Sequence, residues 1–239
     1  MTMTPKRTYH QYCGLAAALD VLGERWTLLI IRELLMSPRR YGELLADLPG
    51  LGTNLLAERL KFLVEKGIVR QTDRNDASSR HAYELTVTGQ ALRPLVLGLA
   101  RWGMDFIGDP TPADTVRPHW GFLAVEAMID PDSVPSVDEQ YEFRVDDQIF
   151  HIDVRNATAR TFHGPAQDPT MTVITDATTF IQIGSGRLSP LAALLTGQLV
   201  LRGDIEAMLR CCEMLGLEVG PVRSVPAAVA PADALPAGA

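Results

Sequence analysis

The chain has only three cysteines, two of them adjacent at Cys211 and Cys212, which excludes the disulfide framework of a small secreted domain. It lacks any apolar run of the roughly 18 to 20 residues that a membrane helix needs, because "TLLIIRELLM" is interrupted by Arg32 and Glu33. The opening "MTMTPKRTYHQY" carries no apolar signal stretch, so the expectation is a cytoplasmic protein with no membrane partner. Histidines number five, and no His or Cys pair stands at helical ligand spacing; neither a metal nor a cofactor is expected. What remains in 239 residues, 46% hydrophobic and 21% charged, is an ordinary globular balance that can build one large core or two modest ones.

The net charge of −7 is unevenly spread. Residues 1 to 108 hold 14 Lys and Arg against 11 Asp and Glu, whereas residues 109 to 239 hold 8 against 18. A basic first half joined to an acidic second half confines any polyanionic partner to the first half, since the second would repel it.

Apolar residues at Leu15, Leu19, Leu22, Trp26, Leu29 and Ile30 have helical spacing with a break at Gly23. Tyr41, Leu44, Leu45 and Leu48 mark a second amphipathic helix, ended by "PGLG". A third carries Leu56, Leu60 and Leu63 on one stripe and stops at Lys66-Gly67. Two strands follow, "IVRQTD" and "RHAYELT", around the polar turn "RNDASS". From Thr88 as N-cap, Leu92, Leu95, Val96, Leu99, Trp102 and Phe106 restore a helix. The Pro-rich "GDPTPADTVRP", where the charge changes sign, is the expected boundary.

Beyond it, "HWGFLAVEAM" reads as a helix, and "QYEFRVDDQIFHIDVR" as a hairpin around Asp146-Asp147. Strands are expected at "ATARTFH", "MTVITD" and "LVLRG", with helices from Thr178, from Ser189-Pro190 and from Asp204. The Ala- and Pro-rich tail has little to bury and is expected to be disordered. The fold class is therefore α+β. Residues 1–108 are expected to form a first domain, 109–116 a linker, 117–222 a second domain and 223–239 the tail.

Three helices and a hairpin are the order of a winged helix-turn-helix, with the tight Pro-Gly-Leu-Gly link between its supporting and reading helices. With the leucine stripe buried, the third helix presents Thr53, Asn54, Ala57, Glu58, Lys61 and Glu65. Asn54 can pair bidentately with adenine, Glu58 can accept from a cytosine amino group, Lys61 suits a guanine edge or a phosphate, and Ala57 can touch a thymine methyl. Arg39 and Arg40 before the supporting helix, and Arg74, Asn75, Ser78, Ser79 and Arg80 in the hairpin loop, are candidate phosphate contacts. Taken singly, each could equally be part of a solvated surface; it is the order of elements and the placement of charge together that favour DNA.

On "C(x5)LDVLGERW", "RELLMSPRRYGELLADLPGL", "LLAERLKFLVEKGIV", "YELTVTGQAL" and "ARWG", residues 13 to 103 resemble the HxlR-type winged helix-turn-helix regulators, relatives of the MarR group. The resemblance implies a homodimer built from the first and last helices of the domain, bound to a pseudo-palindromic double-stranded operator, more often as repressor than activator. Two reading helices would enter successive major grooves about 34 Å apart. Departures are Gly14 for the usual proline, Gly52 for the usual serine ahead of the reading helix, and a hairpin loop without the family's prolines. Cys13 falls where redox-sensing members carry their thiol; Lys6, Arg7 and His10 stand near it in sequence. The other reading of Cys13 is a small buried hydrophobe.

The second half, from "YEFRVDDQIFHIDVRNATARTFHG" through "TTFIQIGSG" and "LTGQLVLRGD", resembles the sterol carrier protein type 2 fold over residues 117 to 217. That implies a helix-covered sheet around an apolar cavity, walled by Phe143, Phe150, Ile152, Val173, Phe180, Ile183, Leu194, Leu195, Met208 and Leu215, or simply packed by them as core. His151 and Asp153 share a strand face, but no serine or cysteine nucleophile is placed to join them, so no enzyme is expected. The reading is a dimeric transcriptional regulator with a small hydrophobic effector. Its alternatives are a thiol switch at Cys13 with a structural second domain, and a hydrophobic-metabolite carrier.

Overall fold

A computed structural model describes residues 8–73 and 81–220. The chain divides into two compact units between Ala127 and Met128, some eleven residues beyond the start expected at 117 for the second domain. The hairpin-loop residues Arg74, Asn75, Ser78, Ser79 and Arg80 and the tail lie outside the described residues. Among the described residues no helix is long and apolar enough to cross a membrane.

In the first unit, α1 (Gly14–Leu22) and α2 (Thr27–Met36) are separated at Gly23 as the spacing predicts. Strand β1 (Arg39–Arg40) then leads into α3 (Tyr41–Asp47) and α4 (Thr53–Glu65). The hairpin is β2 (Val69–Asp73) and β3 (His81–Leu85), in an antiparallel sheet of order β1-β3-β2. Ile30, Ile31 and Leu34 of α2 meet Leu44, Leu48, Leu51, Leu56, Leu60 and Leu63 in the buried core. Each such side chain contributes about 1.5 to 3 kcal/mol on burial, so the leucine stripe is what holds the two helices of the motif in place.

The turn between α3 and α4 depends on glycine. Gly50 has φ +86°, a left-handed conformation strained for any residue with a Cβ, and a Cβ there would stand 3.6 Å from the Trp26 ring. Thr86, not Thr88, caps the next helix: its Oγ1 accepts from the Gly89 N–H at 3.2 Å and donates to the Gly67 carbonyl at 2.6 Å. Two helices replace the single expected one, the short α5 (Val87–Gln90) and α6 (Arg93–Met104), with Pro94 in the first turn of α6. Then α7 (Trp120–Met128) completes the unit.

The second unit holds β4 (Glu139–Val145), β5 (Gln148–Arg155), β6 (Thr158–His163), β7 (Met171–Thr175) and β8 (Leu199–Gly203) in the order β6-β5-β4-β7-β8. Among the described residues only β4 and β7 pair in parallel. Alternate residues Tyr141, Phe143 and Val145, and Phe150, Ile152 and Val154, are buried, the period-2 pattern of a sheet with one covered face. Helices α8 (Ala177–Gly184), α9 (Pro190–Leu195) and α10 (Ile205–Met214) are each capped by the side chain just ahead, Asp176, Ser189 and Asp204.

Candidate nucleic-acid interface

Helix α4 presents two chemically distinct faces. Leu56, Leu60 and Leu63 are buried, while Thr53, Asn54, Ala57, Glu58 and Lys61 are exposed, so the structure brings this part of the sequence-predicted set onto one solvent-facing surface. Lys61 Nζ lies 3.9 Å from the Glu65 carboxylate one turn on; an exposed pair of this kind is worth well under about 1 kcal/mol and yields readily to a phosphate or base.

Two side chains, Tyr41 and Arg59, fix the helix from its flanks. Gly52 occupies the N-cap with no side-chain cap, and Thr53 is already the first helical residue, so threonine does not stand in for the family's serine. Tyr41 Oη donates to the Thr53 carbonyl at 2.5 Å, pinning the first turn of α4 to the start of α3. Arg59, whose side chain is mostly buried, donates to Glu24 at 3.0 Å and Glu58 at 3.4 Å. Sequence periodicity gives no hint of that link, since Glu24 lies 35 positions away.

Arg39 and Arg40 sit less freely than a phosphate clamp would. They pair with Tyr83 and Ala82 of β3; Arg39 is half-buried with Nη1 3.8 Å from Asp47, and the Arg40 N–H donates to the Glu43 carboxylate at 2.6 Å. Among the described residues the hairpin adds Arg70, which is exposed and bonded to Glu84 at 2.6 Å.

Cys13 is exposed at the N-cap of α1 in the single chain, against the reading of it as a buried hydrophobe. The backbone N–H groups of Ala16, then Leu15, at the start of α1 lower its thiol below the ordinary cysteine value. Lys6 and Arg7, near it in sequence, are outside the described residues. Cys211 and Cys212 are buried, and desolvation raises both thiols, Cys212 to about 11.

Glu33, Asp47 and His119 bring ligand-type atoms within 4.8 Å of one another. Glu33 already accepts from Arg32 Nη2 at 2.6 Å and Trp120 Nε1 at 2.9 Å, with His119 Nε2 3.0 Å from its second oxygen. Arg39 stands beside Asp47. Cationic neighbours and the donors already on Glu33 make this an internal ion and hydrogen-bond network. Burial pushes the Glu33 carboxyl up, but the bonds and charges of His119 and Arg32 outweigh it and hold the group below the usual glutamate range.

In the second unit Phe143, Phe150, Ile152, Ile183 and Met208 are buried and Phe180 is half-buried. The rings of Phe143, Phe150 and Phe180 pack with centroids 5.4, 5.9 and 6.0 Å apart, ordinary spacing for aromatic contact. Leu195 is 80% exposed and does not join them. Helix α9 has only six residues and buries Pro190 and Ala193, which turns Leu191 and Leu195, one turn apart, to solvent.

Residues 21–110 match the HxlR-like helix-turn-helix family and residues 124–215 the SCP-2 sterol transfer family. An uncharacterised HTH-type transcriptional regulator of Mycobacterium tuberculosis is 36% identical over 113 residues, 46% of this chain and 71% of the relative. The HTH-type transcriptional regulator YodB of Bacillus subtilis is 33% identical over 115 residues, 48% of this chain and 93% of the relative. A crystal structure of a putative MarR-family transcriptional regulator from Porphyromonas gingivalis is 30% identical, covering 42% of this chain and 99% of that one, with a TM-score of 0.39. With α4 displayed in this way and relatives matched over most of their length, the chain belongs to the HxlR-like helix-turn-helix family of DNA-binding transcriptional regulators, carrying behind that motif a unit that matches the SCP-2 sterol transfer family.

Proposed function

We propose that the chain is a dimeric, sequence-specific regulator, acting chiefly as a repressor, in which α4 of each copy reads one half of a pseudo-palindromic operator and the second unit receives a small hydrophobic effector. The observation that carries this reading is the exposed row Thr53, Asn54, Ala57, Glu58 and Lys61 on a helix whose other face is anchored by three fully buried leucines. A dimer is favoured by Leu15 and Leu19 of α1 and by Leu95, Leu99, Trp102 and Phe106 along and just beyond α6, all exposed, Trp102 to 64%. Large aromatics at such positions are the residue types that anchor interfaces. No catalytic step is assigned to the chain, and its effector acts by preferring one arrangement of the two reading helices over another.

Selection of duplexes from a random-sequence library by the full chain tests this. The expected result is an enriched pseudo-palindrome, with Asn54→Ala/Lys61→Ala lowering affinity for it by about 30-fold or more while the circular dichroism spectrum stays unchanged. Unaltered affinity in that double variant overturns the assignment of the reading face.

A second reading has its own observation, the exposed Cys13 with a lowered thiol pKa. In it, oxidation of Cys13 changes DNA affinity and the second unit is structural. Operator binding that is identical before and after peroxide treatment, in protein whose Cys13 is shown by mass spectrometry to be oxidised, eliminates it.

A further inference from the structure

Glu33, in the middle of α2, is 0% exposed, and a buried carboxylate is tolerated only when donors surround it. Two of its partners come from far along the chain. Trp120 Nε1 donates to Oε1 at 2.9 Å, and His119 Nε2 stands 3.0 Å from Oε2. The Arg32 guanidinium, bonded to the same Oε1, also lies 4.0 Å over the Trp120 ring. One step earlier in the chain, Arg117 Nη2 donates to the Ala46 carbonyl at 2.8 Å, in the last turn of α3. At the other end of α7, both oxygens of Glu126 accept from Arg93 at 2.7 and 2.6 Å, and Arg93 also donates to the Leu35 carbonyl at 3.0 Å.

Residues 117 to 126 are thus bonded to the middle of α2, to the end of α3 and, through Arg93, to the end of α2. All of them lie past residue 110, where the helix-turn-helix family match stops. We infer that Arg117, His119 and Trp120 are positioning residues for DNA reading: they lock the end of α3 against α2, and so set the angle at which the Pro49-Gly50 turn delivers α4 to the groove. The inference rests on the reading of α4 as the DNA-contacting helix. Its physical content is that losing the indole donor leaves the Glu33 carboxylate short of a partner, and α2 and the 117–120 segment move apart to let water replace it. The supporting helix follows, because Arg117 holds a carbonyl of its last turn.

The test uses the full chain and two probes, the duplex enriched from a random library by the wild-type chain and a scrambled duplex of equal length, at one salt concentration. Trp120→Phe, which keeps an aromatic ring but removes the indole N–H, should lower the ratio of specific to scrambled affinity about tenfold or more while leaving scrambled binding unchanged. Arg117→Gln should act in the same direction. Glu33→Met, which removes the acceptor, should reproduce the loss, and Trp120→Phe should add little on that background, because both act through one contact. A purely structural role predicts something else: both affinities fall together, in step with the folded fraction seen by thermal melting. That outcome, or an unchanged ratio, overturns the inference. Equal binding of the two duplexes by the wild-type chain overturns the reading of α4 and this inference with it, whereas a wild-type ratio retained by the variants overturns this inference alone.

Discussion

At the scale of single residues, the three cysteines separate by environment. Cys13 is exposed with its thiolate favoured by backbone N–H groups, while Cys211 and Cys212 sit in the core of the second unit with thiols raised by desolvation. The thiolate is the reactive species, so iodoacetamide at neutral pH should label Cys13 alone in the native protein, with a rate profile whose midpoint lies below the ordinary thiol value of 9.0. Cys211 and Cys212 should label only after denaturation; mass-spectrometric detection of either in the native chain would refute their burial. Sequence reading reached part of this. The adjacent pair falls within the apolar helical pattern that starts at Asp204, where cysteine suits a core, but whether Cys13 faces solvent depends on what packs against α1, which no local pattern encodes. Leu195 errs the other way for the same reason: its apolar character is visible, yet the short α9 turns it outward.

At the scale of elements, periodicity identified the leucine stripes of α3 and α4 and the alternation of β4 and β5, because helix and strand periods impose themselves on the side chains that must be buried. Caps were harder. Thr88 looked like a helix start, but Thr86 takes the position because its hydroxyl also reaches the Gly67 carbonyl, a contact set by the hairpin. The same junction makes Gly89 irreplaceable: a Cβ there would lie 2.2 Å from the Ile68 carbonyl oxygen and 2.9 Å from Leu85. Gly89→Ala should therefore destabilise the first unit by about 1 to 3 kcal/mol. Gly98→Ala, in α6 where a Cβ meets nothing within 4 Å, should instead stabilise by up to about 1 kcal/mol. Urea unfolding of both variants decides the matter, since equal shifts for the two would mean that α5 does not pack this closely on Ile68.

At the scale of the whole molecule, the two-part organisation was readable from the charge asymmetry and the Pro-rich break, but the division itself was not. The chain divides after Ala127, because Arg117, His119, Trp120 and Glu126 are drawn to the first unit by polar partners scattered from Glu33 to Arg93. Such long-range bonds leave no periodic trace. Quaternary structure would be hidden in a similar way: Leu95, Leu99 and Trp102 are legible as the apolar side of a helix, yet they are exposed in the single chain, and exposed apolar positions of this kind suit a contact with a partner. If that partner is a second copy, Leu99→Glu places a charge in the middle of the contact, where it must be desolvated without a counter-charge. The variant should sediment as a monomer where the wild type sediments as a dimer, with the fold of both units retained by circular dichroism. Its affinity for the selected duplex should fall, and the slope of log affinity against log salt should drop to about half, because each neutralised phosphate contributes about −0.9 to that slope and a single reading head meets half of them. A Leu99→Glu chain that remains dimeric with an undiminished salt slope would place the dimer contact elsewhere and leave the α6 stripe without a role in assembly.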